Sequence, residues 1–170
     1  MQSVVLIAVP AAESLVGPWR RRGDPASQLG IPAHVTLPFP FVPDPDPGVV
    51  DELRRVFSQV EAFDLAFGRV DSFGDDVLWL APDPADRVRD VTLALTGRWP
   101  DYPPYGGAFP DVTPHLTVIA HRDPGLHAAA RAGIEPGLPV VGRATHASLF
   151  VRGEQGGWSS RAEFPLADQA

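Results

Sequence analysis

The 170-residue chain has a net charge of −7, contains no cysteine, and takes all 14 of its basic residues from arginine. The absence of cysteine excludes disulfide frameworks, thiol nucleophiles and cysteine-ligated zinc, and the absence of lysine excludes lysine nucleotidylation. The acidic balance argues against electrostatic binding of duplex DNA. The apolar run Val4–Val9 is too short to cross a membrane and lacks a charged flank, so it predicts a buried strand in a cytoplasmic protein.

Four helices are predicted. The first covers about 11–22, where Gly17-Pro18 would kink it. The other three follow an acidic N-cap with proline at the first helical position, at Asp46-Pro47, Asp83-Pro84 and Asp123-Pro124. The last of these ends near Gly133, a residue type typical of helix C-termini.

Strand patterns lie between the helices. Beyond Val4–Val9, apolar runs or alternation predict strands at about 63–67, 77–80, 139–141, 145–151 and 163–166. Gly153–Gly157 predicts the turn between the last two of these strands.

One short phrase occurs twice in the chain, as His34-Val35-Thr36 and as His115-Leu116-Thr117. In a strand, residues two positions apart point to the same side. Each copy is therefore predicted to present an imidazole and a hydroxyl together on one face.

The order strand, helix, His-x-Thr strand, helix, strand, strand fits residues 4–81 and then fits again from Val77 to the end. We interpret this as a duplicated α+β unit that forms a single bilobal domain over residues 1–170, with one motif in each lobe. Two mainly antiparallel sheets with outer helices would surround a central cleft on a pseudo-two-fold axis.

Two histidines on opposite sides of a phosphorus atom could serve as general base and general acid near neutral pH. His34 and His115 are the predicted pair. The hydroxyls of Thr36 and Thr117 could donate to the non-bridging phosphate oxygens, where charge develops. This scheme uses no metal and no cofactor.

These motifs, with the fuller stretches Ile31–Phe41 and Tyr102–Val118, resemble those of the two-histidine phosphoesterase superfamily, in its 2′-5′ RNA ligase-like and cyclic phosphodiesterase branch. The resemblance implies metal-independent hydrolysis of a 2′,3′-cyclic phosphate on an RNA 3′ end or a small nucleotide, leaving a 2′-phosphate. It implies His34 and His115 as the catalytic pair and Thr36 and Thr117 as phosphate-binding residues. At one position the chain departs from the RNA ligase pattern, because Ala120 stands where an arginine is common; His121 and Arg122 follow.

Other residues leave alternatives open. Tyr105, in a Pro/Gly-rich loop, could stack on a base or only pack against the sheet. Arg20–Arg22 could bind phosphate or only stabilise a helix C-terminus. Three histidines, His34, His115 and His121, could hold zinc, but their spacing matches no known ligand pattern.

The sequence therefore predicts a monomeric hydrolase, namely a cyclic phosphodiesterase that acts in RNA processing or on nucleotides. Two alternatives remain: ATP-independent 2′-5′ joining of RNA ends, and a non-catalytic RNA- or nucleotide-binding module on the same fold.

Overall fold

The computed structural model describes residues 1–168, which form two four-stranded sheets. Every pairing between named strands is antiparallel. In chain order the strands are β1 (Gln2–Ala8), β2 (His34–Thr36), β3 (Phe63–Phe73), β4 (Val77–Asp83), β5 (Leu116–Ile119), β6 (Val140–Ala144), β7 (His146–Arg152) and β8 (Trp158–Pro165). The first sheet has the order β2-β1-β7-β8 and the second has the order β5-β4-β3-β6.

Within residues 1–168, five α-helices and three 3₁₀ turns complete the fold. The helices are α1 (Glu13–Gly23), α2 (Pro25–Gln28), α3 (Pro47–Phe57), α4 (Ala85–Arg98) and α5 (Pro124–Ile134). The 3₁₀ turns cover Pro10–Ala12, Pro104–Gly107 and Glu135–Gly137. The predicted α+β class is confirmed.

Two of the three predicted acidic N-caps are confirmed. Asp46 accepts a hydrogen bond from the backbone of Val49, and Asp123 accepts one from Leu126. The third prediction is wrong, because β4 continues to Asp83, which pairs with Ala66. Helix α4 consequently starts one residue later than the sequence suggests, without a side-chain cap.

The predicted stop at Gly133 is also wrong, since α5 runs on to Ile134. A Cβ atom added at Gly133 would lie only 2.7 Å from the Trp19 ring. The glycine therefore permits close packing of α5 against the Trp19 side chain rather than a left-handed helix end.

The two sheets do not correspond to the two halves of the sequence. A short turn joins β3 to β4, so both strands enter the second sheet together with β5 and β6. The first sheet combines β1 and β2 with the C-terminal strands β7 and β8. The first and last strands of the chain thus share one sheet, and the middle of the chain forms the other.

Strand β1 separates two environments. Val5 and Ile7 join the main hydrophobic core, whereas Val4 and Leu6 join a smaller cluster on the other face of the first sheet. Alternate residues of a strand face opposite ways, so this sheet has one face on the main core and a second face that is only partly covered. The second face carries the first His-x-Thr copy, because Thr36 pairs directly with Leu6.

Within residues 1–168, no helix combines the length and apolar character that a membrane span requires. The single bilobal domain over residues 1–170 stays a prediction, and the last two of those residues lie outside the described part of the chain.

Candidate active site

The two His-x-Thr copies lie at the facing edges of the two sheets. His34 and Thr36 are the first and last residues of β2, an edge strand of the first sheet. Thr117 lies in β5, the edge strand of the second sheet, and His115 immediately precedes it. Strands β2 and β5 contact each other across the gap between the sheets. The two motifs, which are far apart in sequence, are therefore neighbours in space.

Helix α1 positions the segment before His34. The Glu13 carboxylate accepts a hydrogen bond from the backbone N–H of Ala33. From the same helix, the Arg20 guanidinium donates to the carbonyl of Ile31 at 3.3 Å. Asp24 receives two further hydrogen bonds from Arg20, at 2.7 and 3.1 Å. This buried ion pair holds the loop from which His34 projects.

The His34 ring is held at both nitrogens. Its Nδ1 lies 2.8 Å from the carbonyl oxygen of Pro32, and its Nε2 lies 3.0 Å from the Thr36 hydroxyl. A carbonyl only accepts hydrogen bonds, so Nδ1 carries the proton and Nε2 of the neutral ring is the basic atom. The predicted imidazole–hydroxyl pair thus exists in the first copy, with Thr36 donating to Nε2.

The His115 ring has the same restraint at Nδ1. That atom lies 2.7 Å from the carbonyl oxygen of Thr113. Thr113 is two residues upstream of His115, just as Pro32 is two residues upstream of His34. The Tyr105 hydroxyl donates to the same carbonyl at 3.1 Å. Arg89 of α4 donates to the neighbouring carbonyl of Val112. In each copy Nε2 is therefore the basic nitrogen of the neutral ring, and an arginine of a preceding helix holds the segment that leads to the histidine.

Aromatic rings surround His115 on three sides. Phe73 and Trp79 meet its ring edge to face, with centroids 5.0 and 5.8 Å away, and Tyr105 lies nearly parallel to it at 6.2 Å. Trp79 is the direct cross-strand partner of Thr117. Its buried indole N–H has no hydrogen-bond partner among the described residues. Trp79 thus contacts the ring of His115 and lies opposite Thr117 in the sheet.

A pocket of about 530 Å³ opens beside His115. Its walls come from the β3–β4 hairpin and from the loop between α4 and β5, and they consist of Phe73, Asp76, Val77, Tyr105, Phe109, Pro110, Asp111, Thr113 and His115. A space of this size can hold a small molecule.

Burial lowers the pKa of both histidines, because a desolvated imidazole resists protonation. The pKa of His34 falls to about 4, chiefly through burial and secondly through the positive charge of Arg20. A positive charge on His115 lowers the pKa of His34 further, as the smallest of these effects. The pKa of His115 is lowered by burial, and its hydrogen bond to Thr113 opposes this effect.

The remaining predicted site residues lie in different surroundings. Arg20 is almost fully buried in its ion pair, whereas Arg21 and Arg22 are exposed in the last turn of α1. His121 Nδ1 donates to the carbonyl of Gly23, and Arg122 forms an ion pair with Asp75 at 2.7 Å.

The described part of the chain contains no group of three metal-ligating side chains, so the three histidines considered for zinc are not grouped in this structure.

Several residues around the site were not predicted. Phe73 and Asp76 reach the pocket beside His115 because β3 and β4 form a hairpin, and Trp79 reaches His115 through its pairing with Thr117. Register between strands is not written in the sequence, so no local signal could have indicated these contacts. Arg20 and Asp24, four residues apart, did offer a signal, since that spacing suits an ion pair on a helix.

Comparison with known proteins identifies the family. A model of the 2′-5′ RNA ligase superfamily matches residues 8–156. No curated protein has a significantly matching sequence.

Several solved structures have the same fold. E. coli LigT complexed with 3′-AMP superposes with a TM-score of 0.64 at 16% identity, and 97% of each chain is covered. LigT complexed with NADP⁺ gives a TM-score of 0.59 at 18% identity, covering 98% of this chain and 97% of LigT. The protein TT0787 of Thermus thermophilus gives 0.60 at 13% identity over the full length of both chains.

The resemblance drawn from the two motifs is thereby confirmed. The family match covers most of the chain, and the fold matches over nearly all of it. The protein therefore belongs to the 2′-5′ RNA ligase superfamily.

Proposed function

We propose that this protein hydrolyses a 2′,3′-cyclic phosphate on a nucleotide or an RNA 3′ end and leaves a 2′-phosphate. One observation carries the proposal: two imidazoles lie at facing sheet edges, and each has Nδ1 bound to a carbonyl, so that Nε2 is the basic nitrogen. Two such groups suit a reaction that needs one proton removed and another delivered. Membership of the superfamily favours a phosphoester as the bond that is broken.

In the proposed reaction, His34 Nε2 accepts a proton from water while the water oxygen attacks phosphorus. The P–O3′ bond breaks in line with the attack, and His115 Nε2–H donates its proton to the departing 3′ oxygen. One histidine gains a proton and the other loses one. Proton exchange with solvent then restores the pair.

The surroundings of the two rings support this division of roles. His34 is the more deeply buried ring and lies near the Arg20 cation, so its neutral form is favoured. His115 is partly exposed, which leaves it better able to carry a proton. When two groups share one proton, the group with the lower proton affinity acts as base and the other as acid.

The hydroxyls of Thr36 and Thr117 would donate hydrogen bonds to the non-bridging oxygens of the phosphate. Thr36 can do so once substrate displaces its present contact with His34. Donors aimed at oxygens that gain charge stabilise the transition state more than the ground state.

Turnover of 2′,3′-cyclic mononucleotides, followed by phosphorus NMR, tests the proposal. We expect a 2′-phosphate product from the wild type, formed equally in the presence of EDTA, and a rate about 10²–10⁴-fold lower from His34→Ala or His115→Ala. His146→Ala is a matched control, because His146 is an exposed imidazole on β7 that contacts Thr145 rather than either motif. A 3′-phosphate product, or full activity in both variants, would contradict the proposal.

A cyclic substrate with sulfur in place of the 3′ oxygen separates the two roles. A thiolate is a far better leaving group than an alkoxide and needs little help from an acid. We expect His115→Ala to recover activity on the sulfur substrate and His34→Ala to remain inactive. The opposite pattern would exchange the two roles while leaving the reaction itself intact.

A further inference from the structure

The pocket beside His115 is lined by side chains of two contrasting kinds. Phe73, Tyr105 and Phe109 supply aromatic surface, and Asp76 and Asp111 supply carboxylates. Within the described part of the chain, no arginine lines it. Aromatic faces bind planar rings by stacking, so the pocket suits a flat group that also carries hydrogen-bond donors.

The loop that forms one wall is held in a defined shape. Tyr105 has a φ of +56°, and the next two residues, Gly106 and Gly107, also have positive φ values. The Tyr105 N–H donates to the carbonyl of Phe39, and its ring packs edge to face on Phe109 at 5.7 Å. These contacts fix the loop before any ligand binds, which limits the entropy lost on binding.

The two carboxylates have no partners of their own. Neither Asp76 nor Asp111 forms an ion pair or a side-chain hydrogen bond within residues 1–168, whereas the adjacent Asp75 is paired with Arg122. The Tyr105 hydroxyl is already committed to Thr113. The charged side chains of this pocket are both carboxylates, so they offer free hydrogen-bond acceptors and no donors.

We propose that this pocket holds the base of the substrate and that Asp76 and Asp111 select guanine. The Watson–Crick edge of guanine presents two adjacent N–H donors, N1–H and the N2 amino group, which match the two oxygens of one carboxylate. Adenine and cytosine each place an acceptor nitrogen beside their single amino group, and uracil offers one donor between two carbonyls. A carboxylate facing those bases gains less and meets a repelling lone pair.

This inference rests on the proposed function, because His115 lines the same pocket and would act on the phosphate attached to that nucleoside. Guanine is the base whose ring and donor edge satisfy the aromatic and the acidic side chains together. A well-placed bidentate contact discriminates between bases by about 10-fold or more.

The test is kcat/KM for the four 2′,3′-cyclic mononucleotides with wild type, Asp76→Asn and Asp111→Asn. We expect the wild type to prefer the guanine substrate over the adenine substrate by about 10-fold. At least one of the two variants should bring that ratio close to one, because an amide can pair with adenine. Asp75→Asn and Asp101→Asn are matched controls outside the pocket and should keep the wild-type ratio.

Binding of guanosine and adenosine 2′-phosphates, measured by calorimetry, separates this inference from the proposed function. Equal turnover of all four substrates, with equal affinity for both monophosphates, would overturn guanine selection and leave the hydrolysis standing. No turnover, together with tighter binding of the guanosine compound that Asp76→Asn or Asp111→Asn removes, would overturn the hydrolysis and support the pocket.

Discussion

The first and second His-x-Thr copies have the same three-residue pattern and the same type of hydrogen bond at the histidine, but they lie in different surroundings. In both, Nδ1 contacts a carbonyl two residues upstream. His34 is buried beside a buried arginine and touches its own threonine. His115 stands among aromatic rings at the mouth of a pocket. The shared contact determines which nitrogen of each ring is basic, and the surroundings determine its proton affinity and its access to solvent.

The difference follows from the elements that flank each copy. The first follows α1, whose Glu13 and Arg20 lie against the segment before His34. The second follows a long loop whose Tyr105 and Phe109 lie outside the core and instead form a wall of the pocket. The two copies thus share one pattern, and the segments that precede them bury His34 and leave His115 open to a pocket.

Loss of either histidine should have the largest effect on activity. We expect His34→Ala and His115→Ala to lower kcat on a 2′,3′-cyclic nucleotide by about 10²–10⁴-fold each, which is the usual contribution of one proton-transfer group. The double variant should be little worse than either single variant, since the two groups act as a unit. Steady-state kinetics of the three variants checks this, and multiplicative losses in the double variant would contradict paired action.

Replacement of the two threonines compares the copies at the third residue of the motif. Thr36→Val and Thr117→Val keep the side-chain shape and remove the hydroxyl. We expect each to lower kcat by about 10–100-fold, somewhat less than loss of a side-chain donor in an oxyanion hole. The effect should fall on kcat more than on KM, as measured by initial rates, because the bonds strengthen in the transition state. A change confined to KM would show that the hydroxyls only bind substrate.

Removal of the buried Arg20, which lies beside the first copy, should lower the free energy of unfolding. Its side chain is 1% exposed and that of Asp24 is 5% exposed. Arg20→Ala would leave the Asp24 carboxylate buried without its partner, at a cost of about 3–5 kcal/mol in the free energy of unfolding. Chemical denaturation measures the loss, and Arg21→Ala is the control because Arg21 is exposed on the same turn. Equal stability of the two variants would show that the ion pair contributes nothing.

Truncation of Tyr105 should affect mainly the second copy. We expect Tyr105→Ala to raise KM by about 5–10-fold through loss of stacking, with a smaller change in kcat. Tyr105→Phe keeps the ring and loses only the hydrogen bond to Thr113, so it should stay near the wild-type KM. If Tyr105→Phe is as impaired as Tyr105→Ala, the residue acts by holding Thr113 rather than by stacking.

The pH dependence tests the comparison as a whole. Burial lowers the pKa of both rings below the ordinary value of 6.5. The form with one neutral and one protonated ring is then most abundant below pH 6.5, and it disappears on further acidification as His34 also takes up a proton. We expect kcat/KM to rise modestly from neutral pH toward acid, to peak, and to fall again toward about pH 4. A maximum above neutrality would show that neither ring has the lowered proton affinity derived from its burial.

The sequence by itself determined the class of the fold, most element positions and the identity of the candidate reactive residues. Local patterns suffice for these, because alternating apolar residues, Asp-Pro starts and repeated motifs are readable within short windows. The errors arose where pairing overrode a local pattern. Asp83 belongs to β4 because Ala66 lies opposite it, and Gly133 stays helical because Trp19 packs against it.

Only the tertiary structure decided what surrounds each histidine. Trp79 reaches His115 through strand register, Phe73 through a hairpin, and Arg20 approaches His34 through the packing of α1 against the segment before β2. These contacts join residues far apart in the chain. Their proximity depends on how the elements pack against one another, and a local sequence pattern does not predict that packing. The proton affinity of each imidazole depends on the same packing, since it follows from burial and nearby charge.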